Sequence, residues 1–204
     1  AQWKPTPVGR RLLVCPSWEE PPAGTDRLVM NLDPGMAFGT GTHFTTLSCL
    51  ELFEDWLDAA PRPRPLRVLD VGTGTGILAI GALLLGADWA LGIDVDPVAV
   101  AEARENAARN GMADRMRNRV EPLERHETPA EVVFANILGP TIVRLADALA
   151  DAVAPGGVIF CSGILAAQER NVQRALGRRG LARIDRRREG EWVSLAFSRD
   201  PTGS

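Results

Sequence analysis

From Leu66 onward, short apolar runs alternate with glycine turns and helical patterns. The apolar run RVLDV leads into the glycine-rich turn DVGTGTG, which is followed by the helical pattern GILAIGALLLG and by a second apolar run, ALGIDV. Strands that alternate with helices form βαβ units, whose parallel strands are joined by right-handed crossovers. The sequence therefore predicts an α/β fold built on a mostly parallel sheet.

The rest of the chain continues this alternation and ends in a hairpin. A helix is predicted from Pro97 to an Asn-Gly turn, and RMRNRV, EVVFANI and VIFCSGI are predicted strands. PTIVRLADALADAVAPGG is predicted as one helix with a glycine stop, and a last helix covers AAQERNVQRALGRRG. ARIDRRR and WVSLAF flank Glu189-Gly190-Glu191, a hairpin signature. Seven strands with an antiparallel end resemble the Rossmann-like class I methyltransferases more than nicotinamide dehydrogenases.

Residues 1–60 differ from this pattern and are interpreted as a head that packs on a core of residues 61–204, within one structural domain. The apolar runs Leu12–Cys15 and Leu28–Leu32 are separated by the turn-rich SWEEPPAGTD, which predicts an irregular antiparallel pair. The loop PGMAFGTGTHFTT follows, and then an amphipathic helix to about Asp58.

Composition excludes several classes of protein. The longest apolar run, Ile77 to Ala87, is too short for a membrane span and contains two glycines. Three scattered cysteines without a CxxC pair, and two distant histidines, predict neither a disulfide framework nor a metal site. A net charge of −3 provides no global attraction to nucleic acid. We therefore expect a cytoplasmic protein that binds neither membrane nor nucleic acid directly.

Charge is uneven near the C-terminus. Between Glu169 and Arg199 the chain has nine arginines and four acidic residues, a local excess of +5. Such an excess could face an RNA or an acidic protein surface. A solvated helix face and an edge strand protected by charge is the favoured interpretation.

The turn after the first core strand has the composition of a ligand loop. Glycines such as Gly72 and Gly74 let a backbone approach a ligand closely. Asp70 precedes the loop, and a carboxylate there would repel a pyrophosphate but attract the ammonium and sulfonium of S-adenosylmethionine. Asp94 ends the second strand, where an acid binds ribose hydroxyls. The alternative for Asp94 is an N-cap on the helix that starts at Pro97.

Several segments together resemble one family. GMAFGTGTHFTT, VLDVGTGTGILAI, GIDVDPVAV, ANIL, SGIL and EGEWV look like the catalytic domain of the bacterial ribosomal protein L11 methyltransferases. The resemblance extends from about Trp3 to Phe197. It implies an enzyme that uses S-adenosylmethionine to methylate amino groups, on lysine side chains or the N-terminus, of one large-subunit ribosomal protein.

The resemblance also implies site residues. Its cofactor contacts fall on Thr46, Gly72, Asp94 and Asn136, and Asp70 and Gly74 are added from the generic loop. His43 is a candidate to lie over the target amine, although it could equally fix the shape of its loop. Thr46 has an alternative role as a helix-start residue that bonds its own backbone. Two residues of the C-terminal hairpin, Trp192 and Val193, are interpreted as part of the core.

Asn136 has the most specific expected role. At the end of its strand it would face both the cofactor and the entering nucleophile, and its amide oxygen can accept a hydrogen bond from an amine. An amide is not a base, so a lysine ammonium must first lose its proton by desolvation or to solvent. The enzyme would then supply orientation for direct in-line transfer. A buried structural hydrogen bond is the alternative role for Asn136.

The sequence also permits two other functions. The chain begins with AQWKP, which looks like the linker that joins the family's N-terminal recognition domain to its catalytic domain. Without that domain, the substrate could be another protein or a small amine. The chain could also bind S-adenosylmethionine without catalysis.

Overall fold

The computed structural model describes residues 4–33, 43–62, 64–123 and 129–202. The described residues form a seven-stranded sheet, a small three-stranded sheet and six α-helices. The strands are β1 (Thr6–Val8), β2 (Leu12–Cys15), β3 (Leu28–Asn31), β4 (Arg67–Val71), β5 (Trp89–Asp94), β6 (Met116–Val120), β7 (Ala130–Asn136), β8 (Val153–Leu165), β9 (Leu181–Glu189) and β10 (Trp192–Arg199). The helices are α1 (Phe44–Ala59), α2 (Ile77–Leu84), α3 (Pro97–Arg109), α4 (Gly139–Arg144), α5 (Ala146–Ala152) and α6 (Glu169–Gly177).

The large sheet has the order β6-β5-β4-β7-β8-β10-β9. The strands from β6 to β8 are parallel, and the hairpin of β9 and β10 joins antiparallel to β8. The prediction of a Rossmann-like, mostly parallel seven-stranded sheet with an antiparallel end is confirmed. Its order reverses at β4, because β5 and β7 lie on opposite sides of that strand.

Alternate residues of the central strands belong to different cores, as the two-residue period of a strand requires. Val132 and Phe134 pack in one apolar cluster with α1, α2 and α3, whereas Val133 and Ala135 pack in a second cluster with α4, α5 and α6. Both faces of the sheet are therefore covered, which explains the nearly continuous apolar character of β7.

The head differs from the sequence prediction. Strand β3 pairs parallel to β2, in the register Leu12↔Leu28 to Cys15↔Asn31, and β1 is the antiparallel partner of β2. The predicted antiparallel pairing of β2 and β3 is wrong because residues 16–27 cross over rather than turn back. This crossover places Met30 of β3 in the cluster with α1, α2 and α3.

A second difference concerns the helix predicted over PTIVRLADALADAVAPGG. It is divided at Leu145 into α4 and α5, and residues 153–157 belong to β8 instead of a helix stop. Val153 already pairs with Ala130 of β7, so the strand begins before the glycines. Pairing with a neighbouring strand has overridden the local stop signal.

Ion pairs attach the turn between β1 and β2 to α1, the helix that carries Thr46 and is capped by His43. Glu54 is 2% exposed and accepts hydrogen bonds from the Arg10 backbone N–H at 2.7 Å and from Arg11 Nε at 2.8 Å. Arg187 of β9 also pairs with Glu51 and Asp55 of this helix. Ion pairs therefore fix helix α1 to the turn before β2 on one side and to strand β9 on the other.

Among the described helices, none combines the length and the apolar character that a membrane span requires.

Candidate functional site

The carboxyl ends of β4 and β7 meet at the point where the strand order reverses. Val71 pairs with Ala135, so Gly72 and Asn136 are the next residues in adjacent strands. In open α/β sheets, ligands bind in the crevice outside the carboxyl ends of the strands at such a reversal. The topology therefore brings the glycine loop and Asn136 to one site.

The glycine loop has a backbone that side chains would disturb. Gly72, Gly74 and Gly76 have φ angles of 70°, 55° and 81°, in the left-handed region that favours glycine. A Cβ on Gly72 would lie 2.5 Å from the Cγ2 of Ile137, so the loop packs directly against the segment that follows Asn136. The glycine loop and the segment after Asn136 are therefore closely packed against each other.

Asp70 lies beneath the loop. It is 1% exposed, and its Oδ2 accepts a hydrogen bond from the Thr73 hydroxyl at 2.8 Å. Burial raises the pKa of its carboxyl to about 7; the Thr73 and Ala79 hydrogen bonds oppose this rise, and the charge of Asp94 adds to it. The buried position gives Asp70 a role in supporting the loop, and a direct ligand contact stays a prediction.

Asp70 predicts a specific pH dependence of stability. Its carboxyl has a pKa of about 7 in the fold and of about 4 in the unfolded chain, so the unfolding free energy should fall as pH rises from about 4 to about 7. The upper limit of this loss is roughly 4 kcal/mol. The Asp70→Asn variant should lack this loss of unfolding free energy. Urea denaturation of both proteins at pH 5 and pH 8 measures how the unfolding free energy of each depends on pH. An equal pH response in the two proteins would contradict the shifted pKa.

Asp94 faces the loop from the end of β5. Its Oδ2 accepts a hydrogen bond from the Gly74 N–H at 3.1 Å, and its Oδ1 accepts one from the Asp96 N–H at 3.0 Å. Helix α3 is capped instead by Asp96, whose carboxylate accepts a hydrogen bond from Val98 N–H at 2.8 Å. The alternative role of Asp94 as the N-cap is therefore wrong, and binding of ribose hydroxyls by its carboxylate stays a prediction.

Thr46 and Asn136 meet across the site although they are 90 residues apart. The Asn136 Nδ2 donates to Thr46 Oγ1 at 3.2 Å. Thr46 is 1% exposed, whereas Asn136 is only half-buried. The hydroxyl of Thr46 thus makes a tertiary contact, and it orients the Asn136 amide at the carboxyl end of β7.

The segment after Asn136 is held between two glycines. Gly163 of β8 has a φ of 76°, and a Cβ there would lie 2.6 Å from the Ile137 carbonyl oxygen. On the other side, the Ile137 side chain covers Gly72. The position of Asn136 therefore depends on close packing that only glycine permits.

Replacing Gly163 by alanine should displace the Ile137 peptide and destabilise the fold by about 2 kcal/mol, from left-handed strain and the backbone clash. Thermal unfolding measures the loss. Gly177→Ala is the matched control, because a Cβ at Gly177 meets nothing within 4 Å and alanine favours a helix. Equal stability of the two variants would contradict the close packing at Gly163.

His43 caps α1 beside the site. Its Nδ1 accepts a hydrogen bond from the Thr45 N–H at 3.4 Å, and its ring meets Trp192 edge to face with centroids 5.3 Å apart. The cap supports the loop-shaping alternative, and a position over the target amine stays a prediction. Trp192, interpreted as core from sequence, is half-buried at this edge, whereas Val193 is fully buried.

Three buried serines connect α1 to the sheet below Thr46. The hydroxyls of Ser48 and Ser194 are hydrogen-bonded, Ser194 and Ser162 are 2.6 Å apart, and Ser48 donates to the Thr45 carbonyl at 3.3 Å. All three are 1% exposed or less. They come from three distant elements, so sequence spacing carries no signal of this contact.

The loop of residues 34–42, which contains most of the GMAFGTGTH motif, lies outside the described residues. In the described part of the chain, no group of three or more histidine, cysteine or acidic side chains is arranged to hold a metal ion.

Comparison with known proteins decides between the families that share this fold. Residues 1–200 match the family described as ribosomal protein L11 methyltransferase (PrmA). The chain belongs to the ribosomal protein L11 methyltransferase family. The resemblance noted from the sequence motifs is confirmed.

Individual family members agree with this assignment. The L11 methyltransferase of Pelobacter propionicus is 46% identical over 199 residues, which cover 98% of this chain and 64% of that protein. The corresponding protein of Geobacter sulfurreducens is 48% identical over 193 residues and is covered to 62%. The chain thus spans a little under two thirds of the length of the curated relatives it matches.

A solved structure from the family shows the same architecture over the whole chain. The ribosomal protein L11 methylase of Lactobacillus delbrueckii subsp. bulgaricus superposes with a TM-score of 0.84 at 32% identity, and covers 97% of this chain and 98% of that one. More distant methyltransferases, such as an RNA methyltransferase from Salinibacter ruber with a TM-score of 0.56 at 24% identity, share the fold.

Proposed function

We propose that the chain is an S-adenosylmethionine-dependent methyltransferase that methylates amino groups of the large-subunit ribosomal protein L11. The observation that carries the proposal is the Thr46–Asn136 contact beside the glycine loop, in a chain that belongs to the L11 methyltransferase family. An enzyme that acts on a ribosomal protein would work in the cytoplasm. No observation in the described residues favours a small-amine substrate or a non-catalytic module.

The residues at the site fit S-adenosylmethionine. Asp94 keeps acceptor capacity on both oxygens beyond its backbone bonds, as a ribose diol needs. The left-handed Gly72 and Gly74 leave no side chain between the loop and a ligand. Asp70 lies buried beneath the loop and accepts the Thr73 hydroxyl, so its part in cofactor binding is to support the loop. Two fold relatives support this choice, since the Salinibacter ruber enzyme is a complex with S-adenosyl-L-homocysteine and a Synechocystis methyltransferase holds the cofactor itself.

When bound, the cofactor supplies an electrophilic methyl group on its sulfonium. Asn136 would then orient the acceptor, because its Nδ2 is engaged by Thr46 and its amide oxygen can accept a hydrogen bond from the amine. This orientation aligns the nitrogen lone pair for in-line attack. The amide cannot remove the proton of an ammonium, so the amine must lose its proton, by desolvation or to solvent, before it attacks.

Transfer of a radiolabelled methyl group from S-adenosylmethionine to purified L11 tests the proposal. We expect labelling of native L11 and none of L11 whose amino groups have been acetylated beforehand. Labelling of the acetylated protein would show a different acceptor atom. A preparation that binds the cofactor but labels neither protein would contradict methyl transfer to L11.

A further inference from the structure

We propose that a groove between α4 and α6 binds an acidic segment of the substrate protein next to the amine that is methylated. This inference rests on the proposed function, because it assigns a substrate-recognition surface to the same site. It is carried by the position of the groove, by its unpaired arginines and by its apolar floor.

The groove begins where the catalytic segment ends. Gly139 and Pro140, at the start of α4, lie three and four residues after Asn136, and Gln168 faces them from the turn before α6. A Cβ on Gly139 would lie 2.6 Å from Gln168 Oε1, so the Gln168 side chain packs against the start of α4. From there the groove follows α6 past Arg174 to Arg178, away from the site.

The groove is a depression partly open to solvent, with a volume of about 380 Å³. Val143 lines it and is 38% exposed, and Leu138 beside its upper end is 66% exposed. Such apolar side chains in the open provide contact area for a passing polypeptide.

Two arginines of the groove differ from three arginines beside it. Arg179 pairs with Asp147 and Asp151, and both Arg183 and Arg186 pair with Glu169. These three arginines are therefore neutralised by carboxylates of the same chain. In the described part of the chain, Arg174 and Arg178 have no carboxylate partner within ion-pair distance, and both are exposed. Two cations without internal partners are complementary to carboxylates on another molecule.

The distances suit a segment of polypeptide attached to the target lysine. From Gln168 to Arg178 the chain rises about 15 Å along the helix, at about 1.5 Å per residue. An extended peptide covers that length with about five residues. Counted from Gln168, Arg174 and Arg178 lie about three and five extended residues away, and the three residues from Asn136 to Gly139 add at most about three more. Acidic side chains about three to eight positions from the target lysine would therefore reach the two arginines.

Peptide binding tests the groove without requiring catalysis. The probe is a fluorescent lysine peptide with three glutamates at positions four to eight from the lysine, compared with its glutamine counterpart by anisotropy. The chain should bind the glutamate peptide about tenfold more tightly, and raising the salt concentration should reduce the difference. The R174E/R178E variant should lose this preference or reverse it. R117E/R119E, which makes the same charge change on β6 at the opposite edge of the sheet, should keep it.

Equal affinity for the two peptides, or the same preference in R174E/R178E, would overturn the groove assignment. Methyl transfer to L11 by the unaltered chain is measured separately. Selective peptide binding without any methyl transfer would uphold the groove and contradict the proposed function. Methyl transfer without charge-selective peptide binding would support the proposed function and contradict the groove assignment.

Discussion

The Asn136→Ala variant is expected to transfer methyl groups to L11 about 100-fold more slowly than the parent chain. The amide positions the acceptor amine, and loss of orientation at a reacting centre has effects of this size. Cofactor affinity should fall less than about tenfold, because Asp94 and the glycine loop remain. Turnover kinetics and calorimetric titration with S-adenosylmethionine measure the two effects separately.

Thr46→Val is the companion variant for this prediction. It leaves Asn136 in place but removes the hydroxyl that accepts its Nδ2–H. A positioning role predicts an intermediate loss of turnover and a melting temperature close to that of the parent chain. Equal losses of turnover and cofactor affinity in Asn136→Ala would count against an orienting role and favour a purely cofactor-binding one.

The Asp94→Ala variant is expected to bind S-adenosylmethionine about 100-fold more weakly. A carboxylate that accepts two ribose hydroxyls makes charge-assisted hydrogen bonds, each worth about 1.5 to 3 kcal/mol. One factor of ten in affinity corresponds to about 1.4 kcal/mol. Asp94 also accepts the Gly74 N–H, so its loss would loosen the loop as well. Calorimetric titration gives the affinity directly.

Asp96→Ala is the matched control, because it removes a carboxylate two residues away that caps α3. This variant should lose about 1 kcal/mol of stability and keep its cofactor affinity. Weakened binding in Asp96→Ala, or unchanged binding in Asp94→Ala, would contradict the assignment of Asp94 to the cofactor.

The large sheet could be predicted because its strands and turns have strong local signals. The run EVVFANI is buried on both faces, as a central parallel strand requires, and Pro97 begins α3 as predicted. The head could not be predicted from local signals. Whether β3 pairs parallel or antiparallel to β2 depends on the path of the residues between them and on the packing of Met30 against the sheet.

The sequence predicts which residues belong to the candidate site, but it does not predict the contacts between them. Motif position places Thr46 and Asn136 near one crevice, but their direct hydrogen bond depends on how α1 lies against the sheet. The close packing of Gly163 on Ile137 and the contact of Trp192 with His43 join distant segments, so no spacing pattern signals them. The burial of Asp70 likewise follows from the tertiary fold.

Intact-mass spectrometry of purified L11 after incubation with this chain and S-adenosylmethionine tests the central claim most directly. Parallel reactions contain the parent chain, Asn136→Ala or no enzyme. We predict stepwise one-methyl additions with the parent chain, far slower additions with Asn136→Ala and none without enzyme. An unchanged mass of L11, with a parent chain shown by calorimetry to bind the cofactor, would contradict the claim that this chain methylates L11.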